Sequence, residues 1–214
     1  MKIFLQGPYV SASGTMNTTL NTNGYIPPTH PYNTAPWNYT GTESVDTIPA
    51  DVVDWVLLEL RSDLTTQVSR RAAFLLSDGS VVDLDGVSNV KFPGVAPGDY
   101  YTVIRHRNHL AVMTANPVTL SFSPVLYDFS TAQTQAYGTN AMIDLSGGIL
   151  GMITGDVNAS GDFSATDLAL VRIGIRDGET GYINKDLNLS GDMSTVDLLR
   201  VRLGIINGYI SQIP

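Results

Sequence analysis

Residues 155–175 read GDVNASGDFSATDLALVRIGI, and residues 185–205 read KDLNLSGDMSTVDLLRVRLGI. The two stretches lie 30 residues apart and share 12 of 21 positions. Such self-similarity marks one structural unit used twice, and it governs the reading of this part of the chain. In the first copy the oxygen-bearing residues and turn glycine are Asp156, Asn158, Ser160, Gly161, Asp162, Ser164 and Asp167. In the second they are Asp186, Asn188, Ser190, Gly191, Asp192, Ser194 and Asp197. These fall at loop positions 1, 3, 5, 6, 7, 9 and 12 of an EF-hand calcium loop. Calcium is a hard cation that takes six to eight oxygens, and alternate residues of a curled loop aim at its centre. Glycine at position 6 makes the sharp turn, and the position-12 carboxylate closes the site from the start of the following helix. The spacing predicts two calcium ions, one per loop.

Position 12 is Asp rather than Glu, one methylene shorter, and position 5 is the neutral Ser. Each loop therefore brings two side-chain carboxylates to its ion, with Asp162 and Asp192 expected to use their carbonyls. Few charges predict weak binding, roughly 10⁻⁴–10⁻³ M, the extracellular range. After each loop, Leu168, Val171 and Ile175, with Leu198, Val201 and Ile205, recur at a helical period. They predict two short helices packed as a quasi-twofold pair. Arg172 and Arg202, at matched places, offset the loops' acidity or reach another surface.

The pair DVNASGDFSATD and DLNLSGDMSTVD, each followed by Leu, resembles the dockerin type of tandem calcium repeat over roughly residues 155–206. The resemblance implies calcium-dependent folding and a surface for cohesin made from helix residues and a Ser-Thr pair at positions 10 and 11. Those positions here are Ala165-Thr166 and Thr195-Val196, a departure that counts against cohesin itself while leaving the ion sites whole. Upstream, LQGPY, PYNTAPWNYTGTESV, VVDWVLLELR, RRAAFLLSDGSVVDLDG and RHRNHLAVM resemble a C-terminal module of large secreted surface proteins of Bacteroidetes-like bacteria. In that module a β domain precedes paired calcium loops. The resemblance implies an exported protein and carries no enzymatic activity with it.

Residues 1–150 read as a β-sandwich domain, and residues 151–214 as the small α-helical calcium module. Residues 52–61 (VVDWVLLELR) predict a strand, with a helix as the rival because Leu and Glu favour it. Ser77-Asp78-Gly79 between 71–76 and 80–84 is a hairpin signal. Further strands are expected at 100–107, continued across a bend at 108–113, and at 118–122 and 125–129, with residues 2–5 as an opening strand. Residues 11–49, rich in Pro, Asn, Thr and aromatics, predict a long ordered loop.

The chain has 214 residues, and only 15% are charged, with 20 acidic against 12 basic and a net charge of -8. An acidic surface excludes a general nucleic-acid binder, which must neutralise phosphates. There is no cysteine, so thiolate metal sites and disulfides are excluded. No apolar run approaches the roughly 20 residues of a membrane span. The run at Met1–Leu5 stops at Gln6-Gly7-Pro8, short of a signal peptide's core, so a secreted chain is expected to have its leader elsewhere.

Other candidates are weaker. His106 and His109 could share a metal only if the chain bends at Asn108, because residues three apart on a strand face opposite sides. The plain alternative is buried or interfacial hydrogen bonding. Asp83-Leu84-Asp85-Gly86 is a third calcium cluster or simply a turn. Tyr25, Tyr32, Trp37 and Tyr39 stack on sugar rings or form a small core. Asp54 and Glu59 make no acid/base pair, and no nucleophile stands out.

The expectation is therefore a non-enzymatic, extracellular, calcium-stabilised structural protein. Self-association into a fibre or tube is favoured, with Met1–Leu5 as a donated strand. The alternative is an adhesion or anchoring module that binds a cell-surface protein or glycan in trans.

Overall fold

The computed structural model describes all 214 residues. The N-terminal part holds β1 (Phe4–Leu5), β2 (Tyr9–Val10), β3 (Thr15–Met16), the one-turn α1 (Thr19–Thr22), and β4 (Val52–Arg61). Next come β5 (Gln67–Leu76), β6 (Val81–Val82), β7 (Gly98–His106), β8 (His109–Met113), β9 (Val118–Leu120), β10 (Ile143–Ser146) and β11 (Ile149–Met152). The C-terminal part holds α2 (Ala165–Asp177) and α3 (Thr195–Asn207). The protein is mainly β, with helices confined to one turn and the two repeats.

The large antiparallel sheet runs in the order β6-β5-β4-β7-β8, with β9 pairing the start of β7. The strand reading of 52–61 is right, and the helix rival fails for a clear reason: β4 is central and every one of its ten residues is buried. Both faces are covered, so no polar/apolar alternation survives in its sequence. The Asp78-Gly79 turn joins β5 to β6, with Gly79 at a φ of 88°. A second, smaller sheet has the order β1-β11-β10. Ile3, Phe4 and Leu5 share one core with Trp55, Phe74, Ile104 and Met152, so the two sheets pack on common apolar side chains.

Three expectations change. Met1–Leu5 is not a free segment: Phe4 pairs with Gly151 and Leu5 with Met152, parallel, inside this chain's own sheet. Residues 125–129 form no strand, and a 3₁₀ turn covers Phe129–Thr131 instead. The boundary at 150 falls inside β11, whose partner is the N-terminal strand, so the β part extends past it. Residues 11–49 are the ordered connection foreseen, apart from β3 and α1. Tyr32 is fully buried and donates its hydroxyl to the Trp55 carbonyl at 2.7 Å, and the Trp55 indole donates to the Pro27 carbonyl at 2.9 Å. Burying Trp55 completely makes it a principal anchor of this layer.

Candidate functional site

Each repeat folds as a loop and a helix, and the two copies match atom for atom in their main bonds. The position-1 carboxylates, Asp156 and Asp186, accept from the amides of Ser160 and Gly161, and of Ser190 and Gly191, at 2.7–3.1 Å. Asn158 and Asn188 accept from the same Ser160 and Ser190 amides. The Ser160 and Ser190 hydroxyls meet the side chains of Asp162 and Asp192. Positions 1, 3, 5 and 7 are thereby drawn around one centre. The turn that does this needs left-handed backbone at positions 4 and 6, where Ala159, Leu189, Gly161 and Gly191 all have positive φ.

The position-12 residues have two jobs. One oxygen of Asp167 accepts from the Val157 amide at 3.1 Å, and the other accepts from the Ser164 amide at 2.9 Å. Asp197 does the same with Leu187 at 2.8 Å and Ser194 at 2.8 Å. Ser164 and Ser194 are thus N-caps in capping boxes that start α2 and α3. The helices end on Gly178 and Gly208 in the left-handed conformation.

The donors suit calcium. Asp156, Asp167, Asp186 and Asp197 are all buried without a cationic side chain bonded to them. Burial, with the neighbouring Asp167 and Asp162 charges adding to it, pushes the Asp156 carboxyl up to about 6 against the bonds from Gly161 and Ser160. Burial likewise pushes Asp186 up to about 6, with Asp197 adding and Gly191 and Arg107 opposing. No three His, Asp or Glu side chains close into a cage anywhere in the chain. The loops fit calcium through two carboxylates plus amide, hydroxyl and carbonyl oxygens. Bound calcium would screen the paired carboxylates and hold the loop to its helix.

The two repeats interlock. Val157, Val171, Leu187 and Val201 form their shared core, with Leu168, Ile175 and Leu198 packed against it. Phe163 of the first loop lies over Gly204 of α3, where a Cβ would come within 2.4 Å of its ring. Met193 of the second loop lies over Gly174 of α2. The backbone of Asp162 bridges to Ile210, and that of Asp192 bridges to Thr180. These matched contacts give the quasi-twofold pair. Arg172 and Arg202 are exposed.

The sequence pointed to Arg105–His109 but not to its role. β7 and β8 form a hairpin whose two-residue turn is Arg107-Asn108. The bend brings His106 and His109 together, with Nδ1 atoms 2.9 Å apart. Asp54 Oδ2 accepts from Arg107 Nε at 2.8 Å and lies 3.1 Å from His106 Nε2, and Asp54 Oδ1 accepts from the Tyr182 hydroxyl at 2.5 Å. Burial pushes the Asp54 carboxyl up, but Arg107, His106 and Tyr182 outweigh it and hold it well below the usual carboxylate range. Arg107 stacks on the Tyr182 ring and donates to the Ile183 carbonyl. Asn108 donates to the carbonyls of Asn184 and Asp186 at 3.0 and 2.8 Å. The turn therefore plugs into the entry of the second repeat's loop. Nothing in the spacing of Asp54, Arg107 and Tyr182 reveals this, because they are brought together from three distant segments.

The remaining candidates resolve simply. Asp83 pairs with Arg71 at 2.7 Å and accepts from Leu84, and Asp85 accepts from Val87 and Ser88, so this run is a turn. Tyr32 and Tyr39 are core residues, and Tyr25 packs on Gly191 of the second loop. No helix is long and apolar enough to cross a membrane.

No protein-family model matches the chain, and no curated protein does. Two solved structures are similar to it, both type II cohesin–X-dockerin complexes from Acetivibrio cellulolyticus. A C-terminal interface mutant is 17% identical with a TM-score of 0.38, over 70% of this chain and 79% of that one. An N-terminal interface mutant is 19% identical with a TM-score of 0.36, over the same shares. Likeness this distant carries no weight for fold or partner.

Proposed function

We propose that this chain is an extracellular, non-enzymatic, calcium-stabilised module that anchors or adheres by docking a partner protein. Asp156, Asn158, Ser160, Asp162, Ser164 and Asp167 would hold one ion, and Asp186, Asn188, Ser190, Asp192, Ser194 and Asp197 the other. The observation that carries the docking reading is on α3. Val196, Leu199, Leu203 and Ile206 recur at i, i+3, i+7 and i+10 and are 46, 54, 46 and 78% exposed. An apolar stripe of that period on a solvent-facing helix marks an interaction surface. The matched positions of α2 are Thr166, Ala169, Ile173 and Arg176, so the stripe is peculiar to the second repeat.

Self-association into a fibre or tube is the second reading. It draws on Phe122, which is 98% exposed just beyond the outer edge strand β9. Sedimentation of the purified chain, in millimolar calcium and in excess EGTA, separates the two. A monomer in both conditions supports docking in trans. Ordered polymers in calcium that dissolve in chelator would overturn it in favour of assembly.

A further inference from the structure

A polar cleft of about 420 Å³ opens between the large sheet, the Pro36-Trp37 segment and the first calcium loop. It lies apart from the α3 stripe, and the first loop closes its far side with Asp156, Ala159 and Gly161. Its wall on the sheet carries three guanidinium groups and one carboxylate. Glu59 is shared between Arg61, at 2.6 Å, and Arg105, at 3.2 Å. Arg61 spends Nη1 on the carbonyls of Leu64 and Pro214. Arg105 is different: it bonds Glu59 through Nε alone, and its side chain is 29% exposed. Its terminal nitrogens are left to meet something in the cleft. Arg70, tied to the Trp37 carbonyl through Nη1 at 2.7 Å, adds a second free edge.

On the deeper side, His109 lines the cleft with Nε2 buried and unpartnered. A buried polar atom without a partner calls for one. The surrounding bonds say which kind. Asp54 accepts a hydrogen bond from His106 Nε2, which leaves His106 Nδ1 as an acceptor. His109 Nδ1 then donates to His106 Nδ1 and to Asn108 Oδ1, at 2.9 and 2.7 Å. A neutral imidazole that donates from Nδ1 has a bare Nε2. His109 Nε2 therefore asks for a hydroxyl donor. Trp37 supplies an aromatic surface, and Gln67 and Thr65 supply further polar groups.

A guanidinium pair wants a carboxylate, a bare imidazole nitrogen wants a hydroxyl, and an indole wants a flat or ring-shaped apolar face. One small class of molecule has all three. We propose that this cleft binds an acidic sugar of the uronic-acid class, its carboxylate on Arg105 and Arg70 and a ring hydroxyl on His109 Nε2. The volume holds one such ring. Binding pockets of this size that rely on a few convergent polar groups are ordinary in proteins.

Calorimetric titration of the full chain in millimolar calcium tests this, with glucuronate, galacturonate, glucose and acetate as separate ligands. At least one uronate should bind roughly tenfold or more tighter than both glucose and acetate, tenfold being about 1.4 kcal/mol. Arg105→Gln should reduce the uronate to the level of glucose while melting as the wild type does. No measurable uronate binding would overturn the proposal. So would glucose or acetate matching the uronates, or an Arg105→Gln variant that keeps the preference, which would assign the carboxylate to calcium. The wild-type ligand comparison stands even if the variant folds poorly.

Discussion

The side-chain amide of Asn108, at the tip of the β7–β8 hairpin, donates to the backbone carbonyl of Asp186 at 2.8 Å. Asp186 is the first residue of the second repeat's loop, so the β part holds that loop at its entry. Leu189 of the same loop is fully buried in the β core, and Tyr25 covers Gly191. The first loop is also tied at its entry, the Gly155 amide donating to the Asn108 carbonyl at 2.9 Å, but its Asn158 and Ser160 are exposed where Asn188 and Ser190 are partly covered. The two repeats share a sequence pattern and differ in how far the rest of the chain has built them in.

Calcium-dependent stability should vanish when the position-12 ligands go. With calcium at 100 times its dissociation constant, each site adds about 2.7 kcal/mol. Asp167→Ala with Asp197→Ala should melt at the same temperature in calcium and in EGTA, whereas the wild type should melt higher in calcium. Both curves of the variant should also be lower, because each substitution removes the N3 half of a capping box and leaves two loop amides without their acceptor. A wild type whose melting ignores calcium would remove the metal assignment.

The single variants should not be equal. Asp197→Ala loosens a loop that is part of the β core, so it should lower the main unfolding transition. Asp167→Ala should act chiefly on the first repeat, seen as faster hydrogen exchange over 156–177 with less change elsewhere. Equal loss of protection across both repeats would contradict the asymmetry.

Asp54→Ala should destabilise the whole protein. It leaves Arg107 buried beside an imidazole with no counter-charge, and breaking such a pair costs about 3–5 kcal/mol. Urea unfolding measures it. A loss under about 1 kcal/mol would mean that the Tyr182 ring and the Ile183 carbonyl suffice for Arg107.

Gly7→Ala should be badly tolerated although the site is a loop. A Cβ there would sit 1.7 Å from the Leu187 carbonyl oxygen and 3.1 Å from the Asn188 Cα. The second repeat would have to move off the β part. Overpacking of this kind costs about 1–3 kcal/mol or more. Urea unfolding midpoints for the variant and the wild type within error would refute the close approach.

Acid should weaken the fold in two stages. Burial, with His106, Arg107 and Arg200 as neighbours, holds His109 well below its ordinary value, and burial lowers His106 despite Asp54. Below about pH 6.5 the unfolded chain takes up these protons and the folded chain does not. Stability is thus full above that point and falls as pH drops through it. Asp54, also depressed, adds a second loss below about pH 4. In saturating calcium, His109→Phe should flatten the decline in urea midpoint between pH 7.5 and 5.5. An unchanged slope would assign that decline to other groups.

The two matched loops were legible in the linear order of residues because such a loop is local. Its buried carboxylates, its turn glycine and its helix cap lie within twelve consecutive positions, and the copy 30 residues later repeats every one. β4 and the Asp78-Gly79 hairpin were legible for the same reason, since strand propensity and turn chemistry act over a few residues. The capture of Met1–Leu5 by β11, the boundary crossing 150, and the joining of Asp54 to Arg107 and Tyr182 were not. Each depends on which distant segment covers a given face, and burial is set by three-dimensional packing that no residue spacing encodes. Even the unequal standing of the two loops comes from packing: their matched residue types are the same, and only the folded chain lays the Asn108 side chain, Gly7 and Tyr25 against the second of them.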